Sequence, residues 1–455
     1  MNFLHCMTLN AVILTGSLFS FAAKAQEQAP SVMNIHDCME YAISNSTAMR
    51  IQAADRNDEQ WQRRQAIIQA FTPYLNAQTY AYNQYGRNLD PETNTYNTVT
   101  TFYNGYSVST GITLFNGFQA VNNIKMADTA MKLGISKEQQ EQDRICLATM
   151  EAFANVIYWS EMESVVKEQV ETARIALERA VRQEELGQKG HADVVQMESE
   201  LAKQEYQLIN SSNEKKNAII TLKDVMYWPY DEELLLDTEI AAPRCEDVDM
   251  LNLEGNAKAL LPSARIASLQ LRNATLDLKS ARRAYSPSLG LYGGWSTTYY
   301  TYPGLSDYTA VSFNEQFKNN GGEYIQVQLS IPIFDQFKRR ATLQKKKNAL
   351  VRAEAQYDQA MRDIENEVRR AVNDRNGANA AFRQAERLAE VQQEAYRLSN
   401  KQFEKGMISA IEYQSASQTY LNATAEKLNS LLKLYIKDAV VRYYGGESYI
   451  KQQNQ

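Results

Sequence analysis

Two stretches of about 70 residues, Phe118–Leu186 and Phe337–Lys405, contain no proline and only one glycine each, Gly134 and Gly377. Proline breaks helix interiors, so each stretch is free to run as one continuous helix. At 1.5 Å per residue such a helix is roughly 105 Å long, whereas helices of globular cores average about three turns. The second stretch repeats the first at a fixed offset. Phe115-Asn116-Gly117 leads into the first and Phe334-Asp335-Gln336 into the second. Gly187 ends the first and Gly406 the second, 219 positions apart, as are Phe115 and Phe334. An equal offset at both ends predicts a duplicated structural unit, and rods of this length predict a chain built to span a distance.

The length alone would suit about three globular domains, but the duplication argues for two fused repeats. We expect a signal peptide at 1–25, a first repeat at 26–226, a linker at 227–261, a second repeat at 262–442 and a tail at 443–455. The apolar run from Ala11 to Ala23 followed by Ala23-Lys24-Ala25 reads as a secretory signal cleaved after Ala25. Beyond Ala25 no window of 18 consecutive apolar residues occurs, so no transmembrane helix is expected, and any membrane span must be a β-barrel. The net charge of −6 gives no support for nucleic-acid binding. Cys38, Cys146 and Cys245 are odd in number and widely spaced, which suits buried thiols better than a metal or redox motif.

Short alternating segments precede both rods. Tyr106, Val108, Thr110, Ile112 and Leu114 alternate with Ser107, Ser109, Gly111 and Thr113. Ile325, Val327, Leu329, Ile331 and Ile333 alternate with Gln326, Gln328, Ser330 and Pro332. Period two with one apolar face is a half-buried strand. Partner strands begin after Pro73 (Leu75, Ala77, Thr79, Ala81) and after Pro287 (Leu289, Leu291, Gly293, Trp295). Tyrosines crowd these hairpins, as in the interfacial girdle of an outer-membrane barrel. The segments Arg87–Phe102 and Thr301–Gly321 read as loops. Four strands cannot close a barrel, since the smallest need about eight, so the chain must oligomerise to cover its strand edges. A dimer would supply eight strands and a trimer twelve; the residues do not choose.

Apolar positions in the rods recur every three, four or seven residues. One seam holds Ala152, Val156, Trp159, Val166, Val170, Ala173, Leu177 and Ala180. The other holds Leu350, Tyr357, Met361, Ile364, Val368 and Ala371. This is coiled-coil spacing. Shorter helices are expected to return after each glycine, at about 191–226 and 408–442, and to precede each hairpin, at about 46–72 and 262–286. Each pair could stack end to end beside a rod. The fold class is therefore mainly α with a small β part: a duplicated α-helical coiled-coil barrel with four β-strands per chain.

This order of elements, with the strand exits Ile112–Gly117 and Ile331–Asp335 and the turns after Leu186 and Lys405, resembles the TolC-like outer membrane efflux proteins. The resemblance implies a homotrimer in outer membrane lipid, with a twelve-stranded transmembrane β-barrel over a twelve-helix periplasmic tunnel. It also implies partners: a periplasmic adaptor, and an inner-membrane pump of resistance-nodulation-division or ABC type. The tip residues Leu186, Gly187, Gln188, Lys405, Gly406 and Met407 are then expected to contact the adaptor. Asp193 and Glu412, each six beyond a tip glycine, match the family's acidic gate position. Ser415 stands where a second acidic residue would be, and Ile408 where a basic gate partner would be, so a single carboxylate ring is expected.

The function expected is a passive conduit of a tripartite drug-efflux or protein-secretion system. A structural coiled-coil envelope protein is the alternative; it explains the seams but neither the signal nor the alternating hairpins. No enzyme, cofactor or metal is expected, because His36 and His191 lie in no ligand-spaced cluster and Gly293-Gly294 and Gly321-Gly322 lack a phosphate-loop context.

Overall fold

The computed structural model describes residues 32–89, 94–303, 305 and 309–450. The expected signal peptide, the end of the tail and Tyr308 of the second hairpin lie outside the described residues. The chain begins with α1 (Ile35–Asn45) and α2 (Thr47–Phe71). The first hairpin follows as β1 (Tyr74–Gln84), β2 (Arg87–Leu89), β3 (Tyr96–Thr98) and β4 (Thr101–Phe115). The first rod is α3 (Gln119–Glu185) and its return helix α4 (His191–Met226). Then come α5 (Met250–Leu260), α6 (Pro262–Arg283), β5 (Ser288–Thr301), α7 (Phe313–Asn319), β6 (Gly322–Ser330), the second rod α8 (Lys338–Glu404) and its return helix α9 (Ala410–Tyr444).

Both rods have 67 residues, which makes each about 100 Å long. Both start from a phenylalanine in the left-handed region, Phe118 at φ 63° and Phe337 at φ 61°. Each packs edge-to-face on a phenylalanine three residues earlier, Phe115 at 5.4 Å and Phe334 at 5.6 Å. The sharp entry from strand to rod is thus duplicated down to its side chains. No helix among the described residues is long and apolar enough to cross a membrane.

The shorter helices stack in pairs beside the rods. Ion pairs show the register: Arg56–Glu138 and Arg63–Asp128 join α2 to the start of α3, while Lys215–Glu163 and Arg174–Glu205 join α4 to its later half. The α2 start meets the α4 end where Thr47 Oγ1 lies 2.8 Å from Tyr227 Oη. Likewise Lys346–Asp277 places α6 on the start of α8, and Lys437–Asp374 places α9 farther along it. Exposed ion pairs of this kind contribute at most about 1 kcal/mol each. Apolar seams hold the helices together, with Val156, Val166, Val170, Ala173 and Ala180 of α3 and Ile364 and Val368 of α8 buried. α3 packs on α1, α2, α4, α6 and α9, whereas α8 packs on α5, α6 and α9.

Between the two stacks lies an apolar belt built from α1, the middle of α3, the end of α4 and α9, around Cys38, Met39, Phe153, Val156, Leu222 and Met226. Burial pushes the thiols of Cys38 and Cys146 up to about 12; Cys245 is only half-buried.

The strands form one antiparallel sheet in the order β1-β4-β5-β6, so the two hairpins join through β4 and β5. β1 and β6 are its edges, exposed along their whole length. Register and alternation give the sheet two faces. One carries Leu75, Val108, Ile112, Leu291, Trp295 and Val327; the other carries tyrosine, serine, threonine, asparagine, glutamine and glycine. β4 begins five residues earlier than its clearest alternation. β6 stops at Ser330, before Pro332, which has no N–H to continue a ladder.

Both expected loops carry structure. β2 and β3 pair within the first. In the second, α7 takes the place of a longer β6. β6 starts opposite Ser296, leaving the upper edge of β5 without a strand partner on that side. The Gln316 side chain donates to the Tyr300 carbonyl (2.9 Å) and accepts from the Tyr300 N–H (3.0 Å), and Asn320 donates to the Thr298 carbonyl (2.7 Å). Phe313 and Phe317 then fold over Tyr106, Trp295 and Tyr299 on the apolar face. Seven residues are too few for a helical period to be read, which is why this element is not evident in the sequence.

Candidate functional site at the helical tips

α3 and α8 end in the same way. The Gly187 N–H donates to the Glu184 carbonyl (2.8 Å) and the Gln188 N–H to the Gln183 carbonyl (2.8 Å). In repeat two, Gly406 donates to Phe403 (3.0 Å) and Met407 to Gln402 (2.9 Å). This pair of bonds closes the last turn around a left-handed residue, and Gly187 and Gly406 have φ of 69° and 71°. Both turns project freely. Leu186 and Met407 are about 70% exposed (71% and 68%), and Gln188 and Lys405 are exposed. A Cβ on either glycine would meet nothing within 4 Å.

Beneath the turns lies a small core of Ala176, Ala180, Val194, Met197, Phe403, Ala410 and Tyr413. Phe403 stacks on Tyr413 at 5.0 Å. The Tyr413 hydroxyl lies 3.2 Å from that of Tyr396, and burial raises its pKa above the usual phenol range. Three contacts tie the two tips to each other. Arg179 pairs with Glu404. Lys189 sits 3.8 Å above the Phe403 ring, its pKa lowered by burial against an opposing pull from Asp193. The Gln196 side chain donates to that of Gln414 at 2.8 Å. Sequence reasoning missed these ties because they join residues that are not equivalent under the repeat. One clue was present: Phe403 stands where repeat one has Glu184, so an aromatic replaces a charge three residues before a tip glycine.

Asp193 and Glu412 both occupy the third position of a return helix, where a carboxylate meets free backbone N–H groups. Their surroundings differ. Ser409 and Glu412 form a reciprocal box: Ser409 N–H donates to Glu412 Oε2 (2.8 Å), and Glu412 N–H donates to Ser409 Oγ (3.3 Å). The backbone bond from Ser409, and then the hydroxyl bond, hold the Glu412 carboxyl below the usual range. α4 starts from Gly190, which has no side chain to cap with. Glu412 is exposed and Asp193 half-buried, and no hydrogen bond or ion pair joins them among the described residues. Ile408 packs at the edge of the tip core, and Ser415 is exposed. The His191 ring, largely exposed, lies 2.9 Å from Glu184.

The family model described as outer membrane efflux protein matches residues 255–444. Protein CyaE of Bordetella pertussis is 26% identical over 261 residues, covering 56% of this chain and 52% of CyaE. The chain thus spans about half the length of that curated relative. Among solved structures, CusC superposes with a TM-score of 0.75 at 15% identity, over 91% of this chain and 92% of CusC. The outer membrane protein VceC of Vibrio cholerae gives 0.73 at 14% identity, over 91% and 96%. The open outer membrane channel MtrE of Neisseria gonorrhoeae gives 0.73 at 16%, over 92% and 91%. At these identities the likeness is one of fold.

Proposed function

We propose, from the chain's membership of the TolC-like outer membrane efflux proteins, that it is the outer membrane channel-tunnel of a tripartite export system. It acts as a passive conduit in the outer membrane of a Gram-negative bacterium. The observation that carries this reading is a sheet with one apolar and one polar face and two open edges, set on rods about 100 Å long. Open edges need partners. β1 and β6 run in opposite directions, so β6 of one copy can pair antiparallel with β1 of the next and close a ring. Three copies give twelve strands. The apolar face then meets lipid and the polar face a water-filled lumen. The rods carry the lumen through the periplasm to the tips.

In this reading Leu186, Gly187, Gln188, Lys405, Gly406 and Met407 form the docking surface for a periplasmic adaptor. The adaptor couples the tunnel to an inner-membrane pump, and three Glu412 carboxylates form the narrowest charged ring, with Asp193 at the matching level. Export of small molecules or of protein is served by the same architecture. The native mass in detergent, measured together with bilayer conductance, tests the reading. A trimer that conducts is expected; a monomer or dimer that conducts would sink it. Crosslinkers at Gln188 and Met407 should capture the adaptor, and capture only from the 301–321 segment would reverse the orientation.

A further inference from the structure

We propose that the inner wall of the barrel is a neutral stacking surface for saccharide cargo. This rests on the channel reading above, which makes the polar face of the sheet the lumen wall. Three features of that face carry the inference.

The first is a row of tyrosines across the strands. Tyr82 pairs with Tyr103 and Tyr103 with Tyr300 in the sheet register, so the three rings lie at one level on one face. Their centroids are 5.2 and 6.4 Å apart, and Tyr80 lies 6.0 Å from Tyr82. Three copies would set nine such rings around the lumen. A second level holds Tyr74 and Tyr292 on either side of Gly111.

The second feature is a set of glycines beneath Tyr74, Tyr80, Tyr292 and Tyr324. A methyl group on Gly105 would collide with the Tyr80 ring. One on Gly111 would meet Tyr292 at 2.5 Å and Tyr74 at 3.0 Å, and one on Gly294 would meet Tyr324 at 2.8 Å. Each of these glycines is the register partner of the tyrosine that covers it. The rings of Tyr74, Tyr80, Tyr292 and Tyr324 therefore lie down on the wall and turn a face toward the lumen, while Tyr82 and Tyr103 stack on each other.

The third feature is charge. Among the described residues the four strands of this sheet hold one ionisable acid or base other than tyrosine, Glu323, and it belongs to the apolar face. Between the rings the inner face presents Asn76, Gln78, Ser107, Ser109, Gln326 and Gln328. A wall of flat aromatic faces alternating with neutral amides and hydroxyls suits a sugar. The electron-rich ring face attracts the weakly positive C–H groups of a pyranose. The amides exchange hydrogen bonds with its hydroxyls, and no charged group has to be desolvated. The Tyr74 and Tyr82 levels are eight residues apart on β1, roughly 27 Å along the strand. A glycan chain can pass from one level to the next by trading similar weak contacts, which suits a conduit better than a single tight site.

The test uses the full-length oligomer in planar bilayers, with maltohexaose and a polyethylene glycol of equal size as probes. Maltohexaose is expected to give resolved, concentration-dependent current blockades that outlast those of the polymer by about tenfold. In the triple variant Tyr74→Leu/Tyr80→Leu/Tyr292→Leu, the sugar residence time should fall toward that of the polymer. Equal residence of sugar and polymer in the unaltered protein would overturn the proposal, and that comparison suffices should the variant fail to assemble. Sugar blockades that persist unchanged in an assembled variant would overturn it as well. Preferential blockade by tetraethylammonium would mark the rings as a cation surface instead. Failure of the channel reading is a separate result, seen as the absence of conductance before any probe is added.

Discussion

Gly187 and Gly406 close α3 and α8 with the same two hydrogen bonds, yet the helices that return from them start differently. α9 opens with the Ser409–Glu412 box, and α4 opens with a bare Gly190. The rods themselves diverge further. Within one chain α3 is flanked by helices on both sides, while one side of α8 has no helix of the same chain against it, with Val351 and Val391 exposed there. At equivalent belt positions α3 buries Val156 and α8 buries Arg375. The Arg375 guanidinium donates to the Glu246 carbonyl at 3.1 Å and to Asn376 at 3.0 Å, fastening the linker to the rod. Duplication copied rod length, entry and turn; the side chains then diverged according to what each rod touches.

Exchanging the two belt residues gives the largest expected effect. Val156→Arg places a charge in an apolar cluster with no partner, a loss of about 3–5 kcal/mol. Arg375→Val removes a cation whose main partner is a backbone carbonyl, a loss of about 1–3 kcal/mol. Urea unfolding followed by circular dichroism compares them. Equal losses would mean that the two rods sit in equivalent environments after all. At the tips, Phe403→Ala should cost about 3 kcal/mol, whereas Glu184→Ala, its counterpart in repeat one, should be within about 0.5 kcal/mol of neutral.

The rods, both turns, the paired shorter helices and the four main strands were legible in the sequence because each rests on a strong local signal. Proline-free length gave the rods, alternation gave the strands, and the repeat offset checked one half of the chain against the other. α7 and the β2–β3 pair were not legible, because each is too short to show a period and is held by contacts to β5 or to its own hairpin. At the tips the glycine positions and the acidic positions could be read. The ties Lys189–Phe403, Arg179–Glu404 and Gln196–Gln414 could not, since no sequence pattern says which residues of the first tip face α8 and α9. The capping box Ser409-x-x-Glu412 stands in the sequence, but a gate role and a cap role draw on the same carboxylate.

A smaller effect concerns the turns. Gly187→Ala and Gly406→Ala meet no steric obstacle, so only the left-handed backbone opposes them, at about 1–2 kcal/mol each. Equal losses at the two sites are expected in thermal unfolding. A much larger loss at one would mean that the turns are not equivalent.

The smallest effect separates the two roles of Glu412. Ser409→Ala removes half of the box and should cost α9 about 1 kcal/mol, while Ser409→Gly, which gives α9 the bare start of α4, should cost only a few tenths. The Glu412 carboxyl is held below its unfolded value by the Ser409 bonds. Its contribution is therefore complete above the ordinary carboxylate range and is lost as pH falls through the lowered folded value. Glu412→Gln keeps an oxygen to accept from Ser409 but cannot ionise. The stability gap between wild type and this variant should close as the solution is acidified below pH 4.5, the usual carboxyl value. The same variant tests the gate, because its cap is largely kept. If three Glu412 carboxylates ring the entrance, Glu412→Gln lowers cation preference and block by multivalent cations in bilayer recordings. If selectivity is unchanged while the pH-dependent stability gap is present, Glu412 is a helix cap and the constriction lies elsewhere on the return helices.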